Sequence, residues 1–406
     1  MGLQLPHGRP HHVYGGKALK ASITSVEVHG KRTLVREDLN VPFAEGVIGD
    51  DARLKAAVPT LEHLSDRGAK VIVMSHLGRP KGFDPELSLK PVATALAKLL
   101  GREVQFAEDC VGQAARAAVG RLQGGNILLL ENVRFHPEEE ANDPEFASRL
   151  ASLGELFVND AFAASHRAHA SVVGVAKHLP AYAGELMIAE LTALHKALDD
   201  PKRPLVAVVG GAKVSTKAGV LRHLLAKVDA LLIGGAMANT FFKAQGYPTG
   251  KGLVEESALD DAKEVMKEGG PKLLLPVDLV CAQKMEAAQP LKTLPANAVE
   301  PGLMALDIGP KSVADFAKHI ASASTIVWNG PMGVAEIPEF SEGTRGVGEA
   351  MAGSGAYTLV GGGDTVAAID ALGLSGRFSH VSTGGGATLE YLEGKELPGV
   401  AILKDA

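Results

Sequence analysis

The chain has 406 residues, enough for two or three domains at roughly 150 residues each. Lys and Arg number 41 against 47 Asp and Glu, a formal charge of −6, which argues against a protein that coats nucleic acid or an anionic membrane through bulk charge. With 46% hydrophobic and 22% charged residues the chain can bury a sizeable core, and disorder over most of its length is excluded. The two cysteines, Cys110 and Cys281, cannot build a disulfide framework or a cysteine-based zinc site, and they point to a reducing, cytoplasmic compartment. No uninterrupted apolar run reaches the roughly 18 residues of a membrane span. The N-terminus lacks the apolar core of a signal peptide, and His7, His11 and His12 have no carboxylate or cysteine beside them. Residues 1–20 are therefore expected to form a loosely ordered extension.

Short apolar runs alternate with longer amphipathic stretches along almost the whole chain, the pattern of parallel-sheet βαβ units. In the first half the predicted strands are 33–36 (TLVR), 70–75 (KVIVMS), 126–131 (NILLLE) and 155–159 (ELFVN), with helices predicted over 54–67, 89–100 and 144–153. Residues 185–198 (ELMIAELTALHKAL) have helical periodicity, and the polar turn 199–204 (DDPKRP) ends them, so a connecting helix and hinge are expected there. Strands are then predicted at 205–209, 230–233, 272–277, 325–328, 357–360 and 381–383. Runs apolar on both faces suit a sheet covered by helices on each side. The expected fold is α/β: two doubly wound, Rossmann-like parallel-sheet domains joined by a connecting helix.

Open parallel sheets bind ligands beyond the carboxyl ends of their strands. In the first half arginines stand there: Arg36 in RxDxN with Asp38 and Asn40, Arg79 in SHLGRP, Arg134 in ENVRF and Arg167 in DAFAASHRAH. Arg53 opens the first predicted helix. Guanidinium groups gathered at one edge repel one another unless an anion joins them, and their planar forks suit phosphate and carboxylate oxygens. A small polyanionic ligand is expected, the alternative being a network paired with Asp38, Glu131 and Asp160. His76, His166 and His169 occupy the same loops. They read as donors to that anion, since no third ligand accompanies the spacing of His166 and His169 for zinc.

In the second half glycines replace the arginines: GGAKVSTK from Gly210, GGAMANT from Gly234, NGPMGVAE from Asn329, GGGDT from Gly361 and GGGATLE from Gly384. Glycines between a strand and a helix let backbone approach a phosphate. GGAKVSTK is not GxxxxGK[ST], and no GxGxxG opens a helix, which disfavours an ordinary P-loop enzyme or a dinucleotide dehydrogenase. Lys213 and Lys217 are four apart and, on one helical face, would both reach phosphate oxygens. Asp364 reads either as a carboxylate ligand of Mg²⁺ or as a helix N-cap. One half gathers cationic forks and the other cradles phosphates. The pair points to phosphoryl transfer between a nucleotide and a small anionic acceptor, with domain closure excluding water.

The segments 36–42 (REDLNVP), 75–80 (SHLGRP), 210–215 (GGAKVS), 328–333 (WNGPMG), 361–365 (GGGDT) and 382–387 (STGGGA) closely resemble the phosphoglycerate kinase family, in unbroken order from about residue 22 to the C-terminus. The resemblance implies reversible, Mg²⁺-dependent phosphoryl transfer between 1,3-bisphosphoglycerate with ADP and 3-phosphoglycerate with ATP. It implies a substrate site of Asp38, Leu39, Asn40, Arg53, His76, Leu77, Gly78, Arg79, Arg134 and Arg167. For the nucleotide it implies Gly211, Ala212, Lys213, Lys217, Gly235, Gly309, Asn329, Pro331, Glu336, Gly362, Gly363, Asp364 and Thr365, with Asp364 on the metal. Arg53 and Lys217 would act on the transferring phosphoryl group, and Gly384, Gly385 and Gly386 would meet its developing charge. The implied division is 21–184 for substrate, 185–200 as connecting helix, 201–388 for nucleotide and 389–406 returning to the first domain. Glu190 and His380 match the family's interdomain pair. Leu39 stands where an aromatic is usual, and 163–165 (AAS) replaces a more usual Gly-Thr-Ala or Gly-Ala-Ala.

No nucleic-acid or membrane partner is expected, and a monomer suffices because one chain carries both clefts. Two other readings stay open. A non-catalytic two-domain anion-binding protein would have no use for Lys217 and Asp364. Against a nicotinamide-dependent dehydrogenase stands the missing GxGxxG.

Overall fold

The computed structural model describes residues 20–44 and 47–406. Apart from Lys20, the extension expected over 1–20 lies outside the described residues. The chain packs as two compact units, the described residues through Thr192 with Glu396–Ala406, and Ala193–Lys395. Each is built on a six-stranded, wholly parallel sheet.

The first unit runs β1 (Arg32–Arg36), a short hairpin of β2 (Phe43–Ala44) and β3 (Val47–Ile48), α1 (Ala52–Asp66), β4 (Lys70–Met74), α2 (Lys90–Leu100), β5 (Val104–Ala107), α3 (Gly112–Arg121), β6 (Ile127–Leu130), α4 (Pro144–Ala151), β7 (Leu156–Asn159) and β8 (Ala181–Ala183). The strand order is β5-β6-β4-β1-β7-β8. Val71 and Val73 join Leu61 and Leu64 of α1 and Leu96 of α2 in one core, while Ile72 and Met74 are buried as well, so β4 is covered on both faces. Local chemistry sets the helix ends. Asp143 caps α4 by accepting from the Phe146 N–H at 2.8 Å, with Pro144 in the first turn, and α2 stops at Gly101 with φ 62°.

The helix α5 (Glu185–Leu198) carries the chain from the first unit into the second. There follow β9 (Leu205–Val209), α6 (Ala218–Leu225), β10 (Ala230–Ile233), α7 (Met237–Ala244), α8 (Leu259–Gly269), β11 (Leu273–Leu274), β12 (Asp278–Ala282), β13 (Lys292–Pro295), β14 (Met304–Ile308), α9 (Pro310–Ser322), β15 (Thr325–Asn329), α10 (Glu342–Gly353), β16 (Tyr357–Gly361), α11 (Gly363–Ala371), β17 (His380–Val381) and α12 (Gly386–Leu392). The parallel sheet has the order β11-β10-β9-β15-β16-β17, and β13-β12-β14 form a separate antiparallel sheet. Trp328 is fully buried in the core with Phe316, Val347 and Ile369. The chain then returns to the first unit, where α13 (Pro398–Ala401) lies. There the Lys404 N–H donates to the Ala181 carbonyl at 3.0 Å, and Lys20 pairs with Asp405 at 2.7 Å. The return starts at Glu396 and not at 389, because α12 packs on α6.

Several elements differ from expectation. The run 272–277 shrinks to β11, because Pro271 and Pro276 bracket it and proline cannot donate to a ladder. The edge strands β5 and β8, the helix α3 and the antiparallel sheet were not anticipated. Edge strands are half-covered and lack the continuous apolar run that marks a central strand; β5 has one fully buried residue of four.

Both large sheets place their topological switch where the motifs stand. From β1 the chain moves toward β4 and from β7 it moves the other way to β8, so the crevice opens beyond Arg36 and Asn159. In the second unit the switch lies between β9 and β15, beyond Val209 and Asn329.

Candidate active site

At the first crevice a continuous hydrogen-bond network joins loops that are far apart in sequence. The Arg53 guanidinium donates to Asp38 Oδ2 at 2.8 Å, and Asp38 Oδ1 accepts from the Asn40 N–H at 3.2 Å. Asn40 Oδ1 accepts from the Gly78 N–H at 2.8 Å, and Arg134 donates to the Gly78 carbonyl at 2.8 Å. The loops after β1, β4 and β6 are thereby locked together. Arg167, in the loop after β7, donates to His166 Nε2 at 3.1 Å and adds its charge beside Arg134.

Arg36 has a different place. Only 1% exposed, it donates to Ser171 Oγ at 2.8 Å and to the Glu37 carbonyl, and meets His76 Nδ1 at 3.1 Å. Ser171 also donates through N–H and Oγ to the buried Glu139 carboxylate. The expectation that Arg36 offers a free fork to the ligand is corrected: its donors are used inside the protein, and it contributes charge. That charge is felt. Burial first, then Arg36, Arg134 and Arg53, hold His76 well below the usual histidine range. Burial and the same kind of neighbours, Arg134 and Arg36, bring His169 down to about 4. Both imidazoles are neutral at pH 7, in a field that awaits negative charge.

Of the three carboxylates in that alternative only Asp38 meets an arginine of the site, and Arg134 pairs instead with Glu140 at 3.2 Å. Glu131 accepts from Ser88 Oγ and the Leu89 N–H at the start of α2. Asp160 accepts from the Met187 N–H at 2.8 Å at the start of α5, and burial raises it to about 6.

In the second unit the ends of β9, β10 and β15 meet backbone to backbone. Gly235 has φ 69°, and a Cβ there would lie 2.4 Å from the Gly211 nitrogen; Gly330 has φ 101°, and its Cβ would lie 2.6 Å from Lys217 Nζ. Only glycine allows this approach. Into the gap comes Lys217. Its ammonium donates to the Gly210 carbonyl at 2.6 Å and to Asn329 through Oδ1 at 2.8 Å and the carbonyl at 3.2 Å. Burial lowers Lys217 to about 8, with Asp364 acting in the opposite sense. Thr365 Oγ1 accepts from the Gly330 N–H at 2.6 Å, tying α11 to the same point. Beside it opens a cavity of about 720 Å³ walled by Gly211, Ala212, Gly235, Pro331, Glu336 and Asp364 together with Leu253, Met285 and Met304.

A family model for phosphoglycerate kinase matches residues 23–395. The chain belongs to the phosphoglycerate kinase family. It is 55% identical over 390 residues to the phosphoglycerate kinase of Moorella thermoacetica, covering 95% of this chain and 99% of that one. A wheat (Triticum aestivum) relative named as a cytosolic phosphoglycerate kinase is 51% identical over 393 residues, covering 95% and 98%. The solved structure of phosphoglycerate kinase from Coxiella burnetii superposes with a TM-score of 0.88 at 46% identity, covering 94% of this chain and 98% of that one. The chain is thus a kinase, a phosphotransferase that uses a nucleotide. Among the described residues no helix is long and apolar enough to cross a membrane.

Not every residue expected at the family's sites has its side chain there. Leu39 and Leu77 are core residues, 0% and 1% exposed; Leu39 reaches the loop network through its backbone, its N–H donating to Ser75 Oγ at 2.9 Å. Arg79 is exposed, and among the described residues it makes no side-chain hydrogen bond or ion pair. Gly309 is not on the cavity wall. It is the N-cap of α9, where a Cβ would lie 2.3 Å from the Asp278 carboxyl group that accepts from the Lys311 and Ser312 N–H groups. The shared helical face for Lys213 and Lys217 is corrected: α6 starts at Ala218, Lys217 is its N-cap, and Lys213 lies in the preceding turn. Asp364 is not an N-cap either, since Gly362 holds that position and Asp364 sits in the first turn of α11.

Sequence reasoning missed Ser75 and Asn132, whose side chains brace the loops after β1 and β4, and the cavity wall formed by Leu253, Met285 and Met304. Met304 begins β14 of the unforeseen antiparallel sheet; the short apolar run of β12 (DLVCA) was the available signal.

Proposed function

We propose that the chain transfers a phosphoryl group reversibly between 1,3-bisphosphoglycerate and ADP, giving 3-phosphoglycerate and ATP, with Mg²⁺ accompanying the nucleotide. The observation that carries this reading is the half-buried Lys217 ammonium, which meets only neutral oxygens within hydrogen-bond reach. Such a group is held ready for phosphate oxygens. The arginine field around His76 supports a second phosphorylated ligand in the other unit.

In this reading Asp38, Asn40, Arg53, His76, Arg79, Arg134 and Arg167 bind 3-phosphoglycerate. The adenine nucleotide occupies the cavity beside Lys217, with Lys213 assisting and Asn329, Thr365 and Gly362–Gly363 around the phosphates. The donor set fits Mg²⁺. Asp364 offers one carboxylate on the wall beside Lys217, and this ion takes one or two carboxylates and completes its shell with phosphate oxygens and water. Asp364 would hold it, and the bound ion neutralises phosphate charge. Arg53 and the N–H groups of Gly384, Gly385 and Gly386 meet the charge that develops on the group in transit. Transfer requires the reacting oxygens in line, so closure of the two ligand-bearing units accompanies turnover. A single chain supplies both ligand sites, so a monomer suffices. We read the compartment as the cytoplasm, supported by the wheat relative's name and by the two free thiols.

The test is a coupled assay with 3-phosphoglycerate, ATP and Mg²⁺. ADP formation that depends on 3-phosphoglycerate is expected, lowered roughly 10²–10³-fold in an Arg53→Ala variant with unchanged circular dichroism. Binding of 3-phosphoglycerate without ADP formation would leave an anion-binding protein instead.

Nucleotide binding should also depend on pH in a defined direction. Lys217 loses its proton near pH 8 in the free chain, and phosphate charge beside it restores the charged form. Binding therefore takes up protons above about pH 8, and affinity falls as pH rises toward 10. Calorimetric titration with ATP at pH 8.5, in buffers of different ionisation enthalpy, should show net proton uptake that vanishes in Lys217→Ala. Release of protons would contradict the role given to Lys217.

A further inference from the structure

Away from the anion network, one other group of metal-type donors exists among the described residues. One ligand atom from each of Asp109, Cys110 and His136 lies within 4.8 Å of the other two. Asp109 and Cys110 follow β5, while His136 follows the turn after β6. These strands are neighbours, with Ala107 paired to Leu130, so both loops leave the same edge of the sheet. His136 Nε2 stands 2.8 Å from Asp109 Oδ1. The Cys110 and Val111 N–H groups, at 2.7 and 3.3 Å, hold that carboxylate oxygen in place, and the imidazole packs on Phe146 with centroids 5.1 Å apart. The Cys110 side chain is fully buried, whereas Asp109 and His136 are 40% and 27% exposed. The sulfur thus forms a floor, and the oxygen and nitrogen donors form a rim open to solvent.

We propose that Asp109, Cys110 and His136 bind a thiophilic divalent cation of the zinc class, with water as fourth ligand. One thiolate, one imidazole and one carboxylate around a solvent-facing position make a tetrahedral set that suits Zn²⁺, whereas Mg²⁺ and Ca²⁺ take oxygen ligands. Phe146 and the two N–H groups supply the outer support that such ligands need. On binding, the Cys110 thiol gives its proton to solvent and its sulfur bonds the metal, and the hydrogen bond between His136 and Asp109 gives way to two metal–ligand bonds. His136 lies two residues beyond Arg134, so the ion would tie the loop after β5 to the segment that presents Arg134. The sequence hid this set because its cysteine and its histidine stand 26 positions apart, and a mixed site needs only one cysteine.

The cysteine count makes the test selective. Metal-free full-length protein is titrated with Co²⁺. One equivalent should produce the visible bands of tetrahedral cobalt and a near-ultraviolet thiolate-to-cobalt band, both abolished by Zn²⁺ and unaffected by excess Mg²⁺. Cys281→Ser should keep the thiolate band and Cys110→Ser should lose it. His136→Gln should weaken cobalt binding by more than the roughly 10–100-fold that loss of an outer-shell partner costs. Retained kinase turnover and circular dichroism check folding, and should Cys110→Ser fail them, His136→Gln with Cys281→Ser decides. No thiolate band in the folded parent, a band that survives in Cys110→Ser, or binding indifferent to His136→Gln overturns the proposal and leaves Asp109 a carboxylate that caps its own loop.

Discussion

Lys217→Ala is expected to lower turnover roughly 10²–10³-fold, the usual cost of removing one preorganised group that stabilises transition-state charge. Stability should not fall with it. In the free chain the half-buried ammonium is held against carbonyl oxygens and Asn329 Oδ1, and burial pushes its proton affinity down to about 8. Removing it takes away an ammonium that burial disfavours, so the thermal midpoint of the second unit is expected to hold or rise. Trp328 is the single tryptophan and is fully buried in that unit, so its fluorescence follows the transition directly. A variant that unfolds early would assign Lys217 to the framework; one that turns over normally would remove it from the site.

Arg36→Met should have its large effect on stability in the first unit, about 1–3 kcal/mol for each buried partner left unsatisfied, because it removes the guanidinium that acts through Ser171 on the buried Glu139 carboxylate. Glu139 is 0% exposed; burial raises its proton affinity, and the Arg36 charge and the Ser171 hydrogen bonds oppose that rise. Methionine matches the stem of arginine in length but returns none of the guanidinium's contacts to Ser171, the Glu37 carbonyl and His76. The double variant Arg36→Met/Glu139→Gln should recover a substantial part of the loss, since the uncompensated charge is then gone. Denaturant unfolding followed by hydrogen exchange of β1, β4 and β7 amides reads the first unit, while Trp328 fluorescence reads the second. Equal loss in the single and double variants would refute the charge argument.

Arg36 also marks how far the sequence could be read. Its position after a strand made it look the same as Arg134, yet Arg134 ties the loop after β4 and pairs with Glu140, whereas Arg36 is spent on Ser171, the Glu37 carbonyl and His76. The residue type is visible in one dimension, but whether Ser171 and Glu139, more than 100 residues away, consume its hydrogen bonds is not. Lys213 and Lys217 teach the same lesson in short range. A four-residue spacing suggests one helical face, but residues 215–217 form a turn and α6 starts only at Ala218. Leu39 and Leu77, named with their motifs, turned out to hold those motifs from the core side.

The sequence alone determined the α/β class, the central strands, the connecting helix and the two chemistries of the strand ends. These follow from apolar periodicity, from the turns that only glycine permits and from charge, all of which are local properties of the chain. Tertiary structure decided the strand order that opens each crevice between non-consecutive strands, the choice of which cations are buried, and the cavity wall that Leu253, Met285 and Met304 complete. It also brought Asp109 and Cys110 beside His136. Each of these depends on contacts between residues tens to hundreds of positions apart, and burial and hydrogen-bond partners, which set charge and reach, exist only once those contacts form.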